Sequence, residues 1–343
     1  MNILITGGAG YIGSHVAKQL LETTTYNIVI LDNLSTGSIK TLDTLKTIRD
    51  FKFIELDLKE FDKVNNVLKE NNINTIMHFA ASIVVPESVE NPLKYYINNT
   101  VNTTNLIKCA VENSVKKFIF SSTAAVYGEP TNIPQNGIDE KYPTSPINPY
   151  GMSKLMSEKV LQDTASLNDN FKYMIFRYFN VAGADINYED NKLTPRIGQS
   201  FPNATHLIKI ASECAMGKRE KMSIYGDDFD TNDGTGVRDY IHVDDLADAH
   251  IKAIKYLDNN ASEIFNAGYG KGHSVKEVID VAKKATDTNF KVDITSRRDG
   301  DSAMLVSDNR KIKSKMSWVP KYEDLELICK SAYEWEKKLG DIN

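Results

Sequence analysis

Cysteine is scarce: Cys109, Cys214 and Cys329 are the only three in 343 residues, an odd number with neither metal nor redox spacing. They are expected to be buried core thiols in a reducing compartment. An excess of positive charge is also missing. Lys and Arg total 41 against 46 Asp and Glu, a net charge of −5, so no basic surface argues for nucleic acid. No apolar run reaches membrane-spanning length, and the opening MNILITGGAG has no basic start, apolar signal core or cleavage site. A cytoplasmic location is the expectation, and sequons such as Asn102-Thr103-Thr104 then carry no glycan meaning. Repeats, low-complexity tracts and flexible linkers are lacking too.

What the first half contains is alternation. Apolar runs at 3–6, 28–32, 51–56, 76–79, 117–121 and 173–180 are separated by helical patterns, notably 10–22, 93–113 and 150–166. Buried strands linked by helices predict an α/β, doubly wound parallel sheet (Rossmann) with its ligand crevice at the strand carboxyl ends. After residue 180 the alternation loosens. Residues 181–205 read as loop, a strand is expected at 222–225, and helices at 206–216, 243–256, 274–285 and 324–338. The expected division is a dinucleotide-binding domain over 1–180 and a smaller C-terminal α/β substrate domain over 181–343, some segments of which return to the Rossmann sheet.

The first strand runs straight into Gly7-Gly8-Ala9-Gly10-Tyr11-Ile12-Gly13, which opens a helix. Gly7 permits the tight turn, Gly10 lets backbone N–H groups approach a pyrophosphate, and Gly13 lets the helix pack on the sheet. Asp32 ends the second strand, 19 residues after Gly13. A carboxylate there accepts ribose hydroxyls and repels a 2′-phosphate. Asn33 follows, and no Arg in LSTGS awaits that phosphate, so NAD is favoured over NADP. Asp57 ends the next strand, where it either faces an adenine or caps a turn.

Tyr150 and Lys154, four apart on one helix face, supply the chemistry. A free tyrosine is a poor base at neutral pH, but a nearby cation favours the phenolate. A phenolate can take a sugar hydroxyl proton as hydride leaves the same carbon. Thr123, at the end of the 118–122 run, is placed to hold that hydroxyl. His242 with Asp244 and Asp245 reads as a helix start rather than a metal site, and His78 as a core histidine.

These residues resemble the extended short-chain dehydrogenase/reductase family, and within it the UDP-glucose 4-epimerases. The resemblance is carried by TGGAGYIGSH at 6–15, LDNLSTG at 31–37, FAASIVVPESVENPLKYY at 79–96 and SSTAAVYGE at 121–129. It continues through PYGMSK at 149–154, RYFNVAGA at 177–184, DGTGVRDYIHVDDLA at 233–247 and RRDGD at 297–301. It implies retained NAD and reversible inversion of a UDP-hexose at C4 through a 4-keto sugar and bound NADH. It places Tyr11, Ile12, Leu58, Phe79, Ala80, Ala81, Asn98 and Tyr178 at the cofactor. It places Asn180, His206, Leu207, Tyr225, Arg238, Arg298, Asp301 and Leu305 at the substrate. Among these, Asn180 and the two arginines would take the phosphates, Asp301 the uridine ribose, and Leu207 and Tyr225 the uracil. It also implies a homodimer paired through the 93–113 and 150–166 helices.

Three positions depart from the common pattern. Thr123 stands where many members have Ser and keeps the hydroxyl. Ile83 stands where many have a cofactor-contacting Lys. Leu305 stands where a bulky Tyr is associated with exclusion of N-acetyl groups, so acceptance of N-acetylated UDP-hexoses is expected, with ordinary core packing the alternative for this Leu. A 4,6-dehydratase needs an extra acid, and Ala124-Ala125 after Thr123 supply none. A uronate epimerase is harder to separate. A nucleotide-sensing binding protein would have no need of an intact Thr123, Tyr150 and Lys154.

Overall fold

The computed structural model describes residues 1–202, 205–298 and 301–341. Residues 203–204 of the expected loop, and 299–300 within RRDGD, lie outside the described residues. The chain forms two compact units. One comprises Met1–Tyr127, Thr144–Arg177 and Ala247–Phe265; the other comprises Gly128–Pro143, Tyr178–Leu246 and Asn266 onward.

The first unit is built on a sheet of β1 (Asn2–Thr6), β2 (Asn27–Asp32), β3 (Lys52–Glu55), β4 (Thr75–His78), β5 (Lys117–Thr123) and β6 (Lys172–Tyr178), completed by Glu263–Ala267. Its order is β3-β2-β1-β4-β5-β6 with Glu263–Ala267 at the edge, and β3 through β5 pair in parallel. Continuous apolar runs form these strands because both faces are covered. On one face Leu4, Val29, Ile76, Phe118 and Ile175 meet Val64 and Leu68 of the Phe61–Glu70 helix, Leu106 and Ile107 of Asn102–Glu112, and Leu161 of Pro149–Ser166. Elsewhere His250, from the helix that ends at Asn259, packs its ring 5.0 Å from Phe79 and 4.7 Å from Phe176. The order reverses between β1 and β4, which opens a crevice at their carboxyl ends.

The second unit holds a sheet of Asn180–Ala182, Val237–His242, Gly272–Ser274 and Met304–Leu305, and a parallel pair of Lys221–Tyr225 with Lys291–Thr295. The helices Leu207–Ala215, Val275–Thr286 and Leu325–Asp341 pack on one another. Gly198 has its Cα against the Trp335 indole, where a Cβ would lie 2.5 Å from Cγ.

Three expected elements differ. The 93–113 helix is three pieces, Pro92–Tyr95, a wider π-turn Tyr96–Val101, and Asn102–Glu112. The 173–180 strand stops at Tyr178, and Asn180 begins a strand of the other sheet. The loop expected at 181–205 also contains the hairpin Tyr188–Glu189 with Lys192–Leu193.

Candidate active site

In the first unit, the Gly-rich turn sits at the point where the strand order reverses. Gly7 has φ +71°, and a Cβ on it would lie 2.6 Å from the Ala80 amide nitrogen. The expected cofactor segment Phe79–Ala80–Ala81 therefore runs directly against the turn. A Cβ on Gly13 would fall 2.3 Å from the Gly7 carbonyl oxygen, so only glycine lets the Tyr11–Thr23 helix start there. Gly10 differs: its φ is −83°, open to any residue, and a Cβ would meet only the Gly7 oxygen, at 3.3 Å. Its lack of a side chain leaves room at the helix N-terminus, where N–H groups face an anion.

Asp32 is 7% exposed. Its Oδ2 accepts from the Ala9 amide at 3.0 Å and its Oδ1 from Leu34 at 2.8 Å. Burial raises its pKa while those two N–H groups oppose the rise. Asn33 donates to Asp57 Oδ2 at 2.9 Å, and Asp57 Oδ1 accepts from the Lys59 amide, a turn-capping contact. Leu58 is buried beside it. Tyr11 and Ile12 occupy the first turn of the helix, and Asn98 donates to Ser82 Oγ at 3.0 Å. The Gly cradle and the carboxylate at the end of β2 fit a dinucleotide whose adenosine ribose is unphosphorylated.

Thr123 closes β5, and Tyr150 and Lys154 follow on the Pro149–Ser166 helix. Asn148 caps that helix by accepting from the Gly151 amide, and Pro149 enters its first turn. The Thr123 hydroxyl, which accepts from the Ala125 amide at 3.1 Å, stands near enough to the Tyr150 phenol to act on its acidity. Burial raises the phenol's pKa, and the nearby Thr123 hydroxyl counters it. Lys154 is 3% exposed. Its Nζ donates to the Ser121 carbonyl at 2.8 Å and lies 4.9 Å from the Phe120 ring centroid. Burial pulls its pKa down to about 7, against the charge of Glu158 one turn on. Burial thus favours the protonated phenol and brings the Lys154 pKa close to neutral pH.

Around this group lie residues to which local spacing assigned no chemistry. Glu158 is fully buried, and Arg177 spans it with Nη2 2.7 Å from Oε2 and Nε 3.1 Å from Oε1. Ser122 Oγ also donates to Glu158, and Arg177 Nη1 donates to the Tyr127 hydroxyl at 3.0 Å. The Tyr95 ring stands edge-on to Tyr150 at 6.4 Å, and its hydroxyl joins Val84 and Glu87. His78 lies between the hydroxyls of Thr6 and Thr103, each 2.7 Å away. Burial and then the Lys154 charge push its pKa to about 3, so it stays neutral.

In the second unit, the expected substrate residues fall into neighbouring sets. Arg238 is the register partner of Leu305, and two residues on Tyr240 pairs with Asn180. Burial lowers the Arg238 pKa, and the Asp301 charge opposes this. The Arg298 guanidinium lies 4.5 Å from the Tyr225 ring centroid and bonds Asp301 Oδ2 at 2.9 Å. Leu207 opens its helix with His206 at the cap position, and Gln199 bonds His206 Nδ1 at 2.9 Å. Tyr178, nearly buried, ends β6. Ile83 is exposed. His242 Nδ1 accepts from the Asp244 amide, while Asp245 accepts from Tyr269, Lys321 and Tyr322. Among the described residues no group of three or more His, Cys, Asp or Glu could hold a metal, and no helix is long and apolar enough to cross a membrane.

The same architecture recurs in known proteins. The chain is 43% identical to a UDP-glucose 4-epimerase of Azospirillum brasilense over 338 residues, 98% of this chain and 92% of that protein. A UDP-Glc/GlcNAc 4-epimerase structure from Campylobacter jejuni shares 55% identity and a TM-score of 0.85, covering 98% of this chain and 99% of its own. A UDP-glucose 4-epimerase from Stenotrophomonas maltophila, with bound NAD and formylated UDP-arabinopyranose, superposes at TM-score 0.93 with 32% identity over the whole of both chains. Residues 3–268 match the NAD dependent epimerase/dehydratase family, and the chain belongs to it.

Proposed function

We propose that the protein interconverts the C4 epimers of UDP-hexoses, UDP-glucose with UDP-galactose and UDP-N-acetylglucosamine with UDP-N-acetylgalactosamine, retaining NAD throughout. The observation that carries this reading is the Tyr150 phenol near Thr123, on the helix where a buried Lys154 follows one turn later. When bound, NAD supplies reversible hydride storage. Tyr150 Oη takes the proton from the sugar 4-hydroxyl and later returns one to the same oxygen. Thr123 Oγ1 keeps that oxygen in line, and the Lys154 ammonium favours the phenolate form of Tyr150. Arg238, Arg298 and Asn180 hold the pyrophosphate, Asp301 the uridine ribose, and Tyr225 with His206 and Leu207 the uracil. Binding energy concentrated on the nucleotide leaves the sugar free to turn over between the two half-reactions.

Leu305 supports the wider substrate range: it is the register neighbour of Arg238 and lacks the bulk and hydroxyl of a tyrosine. Proton NMR of the anomeric signals, with UDP-glucose and UDP-N-acetylglucosamine incubated separately and no NAD added, tests the reading. Both are expected to give their 4-epimers. Leu305→Tyr is expected to cut turnover of the N-acetylated sugar by about 100-fold while changing UDP-glucose turnover less than about threefold. Conversion of UDP-glucose alone by the unaltered protein would sink the dual range.

The reading includes a cytoplasmic homodimer. Its three cysteines are buried and free, in keeping with a reducing compartment. Leu93, Ile97 and Val101, spaced by four along the 92–112 run, are 69%, 56% and 45% exposed, and Met156 of the Pro149–Ser166 helix is 43% exposed. Such a stripe suits a second copy of the same face. Light scattering should give twice the chain mass, and Ile97→Asp should halve it.

A further inference from the structure

We infer that Gln199 is a positioning residue that fixes which ring nitrogen of His206 carries the hydrogen, so that His206 meets the nucleotide as a neutral donor. That the nucleotide lies at His206 rests on the function proposed above; that Gln199 decides the ring's hydrogen does not. Gln199 Nε2 lies 2.9 Å from His206 Nδ1. A carboxamide nitrogen can only donate, so Nδ1 accepts, and the one hydrogen of the neutral ring sits on Nε2. Burial lowers the ring's pKa, which keeps it neutral at neutral pH. Among the described residues no protein group accepts from Nε2. His206, Gln199 and Trp335 line one small cavity with Val181 and Ala182, of the strand that Asn180 opens. The ring therefore stands close to a segment proposed above to hold the phosphates. Phosphate oxygens and pyrimidine carbonyls are acceptors, which a ring nitrogen without its hydrogen cannot bind.

One helix holds both ends of the bond between Gln199 and His206. Trp335, in Leu325–Asp341, donates from Nε1 to the Gln199 carbonyl at 3.2 Å, and Lys338 donates to the Pro195 carbonyl at 3.2 Å. Gly198 lies against the same indole. Between these points Arg196 forks onto the buried Asp185 carboxylate, with Nε 2.6 Å from Oδ2 and Nη2 3.2 Å from Oδ1. On the other side Glu336 pairs with Lys209, in the first turn of the helix that His206 caps. Both of these side chains are buried, and Lys218 reaches Glu336 Oε1 at 2.6 Å. The consecutive residues Trp335 and Glu336 thus set the Gln199 backbone and the His206 helix against each other. Lys209 lines the same cavity as His206, and its charge is answered by Glu336 and by Glu213 at 3.5 Å. The carboxamide is therefore the group that decides the state of the ring.

Gln199→Glu keeps the size of the side chain and removes its hydrogens. A carboxylate only accepts, so Nδ1 must then carry the hydrogen, and Nε2 donates only while the ring is a cation. The new charge also raises the His206 pKa. Affinity for UDP-glucose, relative to the unaltered protein at the same pH, is expected to match at about pH 5.5 and to be about 10-fold weaker at about pH 8.5. Taking the ratio at each pH removes the titration of Lys154. Gln199→Met, which drops the bond without adding charge, should weaken binding about threefold at both pH values. In both variants the loss should appear in KM, with kcat at saturation moving less than about twofold. Uridine measured beside UDP locates the acceptor: a loss with both places it on the base, a loss with UDP alone on the diphosphate. Nitrogen-15 NMR of the histidine rings, with His206 assigned from its absence in His206→Asn, should show the hydrogen on Nε2 alone in the unaltered protein at neutral pH. A hydrogen on Nδ1 there, or an affinity ratio for Gln199→Glu that does not change with pH, overturns the inference. Should the unaltered protein fail to bind UDP-glucose, the proposed function falls instead, and the ring spectrum still decides what Gln199 does.

Discussion

Tyr150→Phe is expected to lower kcat for UDP-glucose epimerisation by about 1,000-fold while leaving NAD retention and UDP affinity within about twofold. The substitution removes one oxygen. That oxygen stands near the Thr123 hydroxyl, and its burial disfavours the charged form. No other group on the Pro149–Ser166 helix can replace it, because Lys154 points to the Ser121 carbonyl. Its ring still packs edge-on against Tyr95, so the fold has little reason to loosen. Loss confined to kcat marks an interaction made in the transition state; a rise in KM alone would mean the phenol only binds sugar. A chain that merely senses nucleotide sugars would function equally well with phenylalanine, so complementation in cells separates the two classes.

Glu158→Gln should have the largest effect on stability, a loss of about 3–5 kcal/mol read from the urea midpoint at constant m-value. The Glu158 carboxylate is fully buried, and the Arg177 side chain retains only 5% of its exposure. Neutralising the acid strands a buried guanidinium. Replacing both members with apolar residues of similar volume should restore much of the stability, because the penalty belongs to the orphaned charge. Activity should change in a specific direction as well. Glu158 opposes the burial that pulls Lys154 down to about 7. Without its charge Lys154 falls further and loses its proton at lower pH, so the alkaline limb of the kcat profile should move to lower pH in Glu158→Gln. An unchanged limb would detach Lys154 from Glu158.

Much of this was visible in the sequence, for a physical reason. A parallel strand buried on both faces must be continuously apolar, and a phosphate turn must be glycine, so β1, β2, β4 and the Gly7–Gly13 run stand out locally. Tyr150 and Lys154 do so because helical period places them together. The π-turn did not, since a single extra residue barely disturbs the apolar spacing of Leu93, Leu106 and Ile107. Glu158 and Arg177 meet across 19 residues and Asn99 meets Ser153 across 54, separations at which no local pattern survives. The two- and three-residue strands at Gly272–Ser274 and Met304–Leu305 are too short to show alternation. The substrate residues were legible only through the motifs that carry the family resemblance.

The sheet's far edge has a consequence for synthesis. β6 ends at Tyr178, yet its outer neighbour, Glu263–Ala267, and the helix that brings His250 to Phe176 come from much later in the chain. While a ribosome makes the intervening stretch, the apolar strand Met174–Ile175–Phe176 is left with one edge and one face bare. A bare edge of that kind recruits other strands. A fragment ending near residue 180 should therefore aggregate rather than fold, and the growing chain needs protection until residue 267 has emerged.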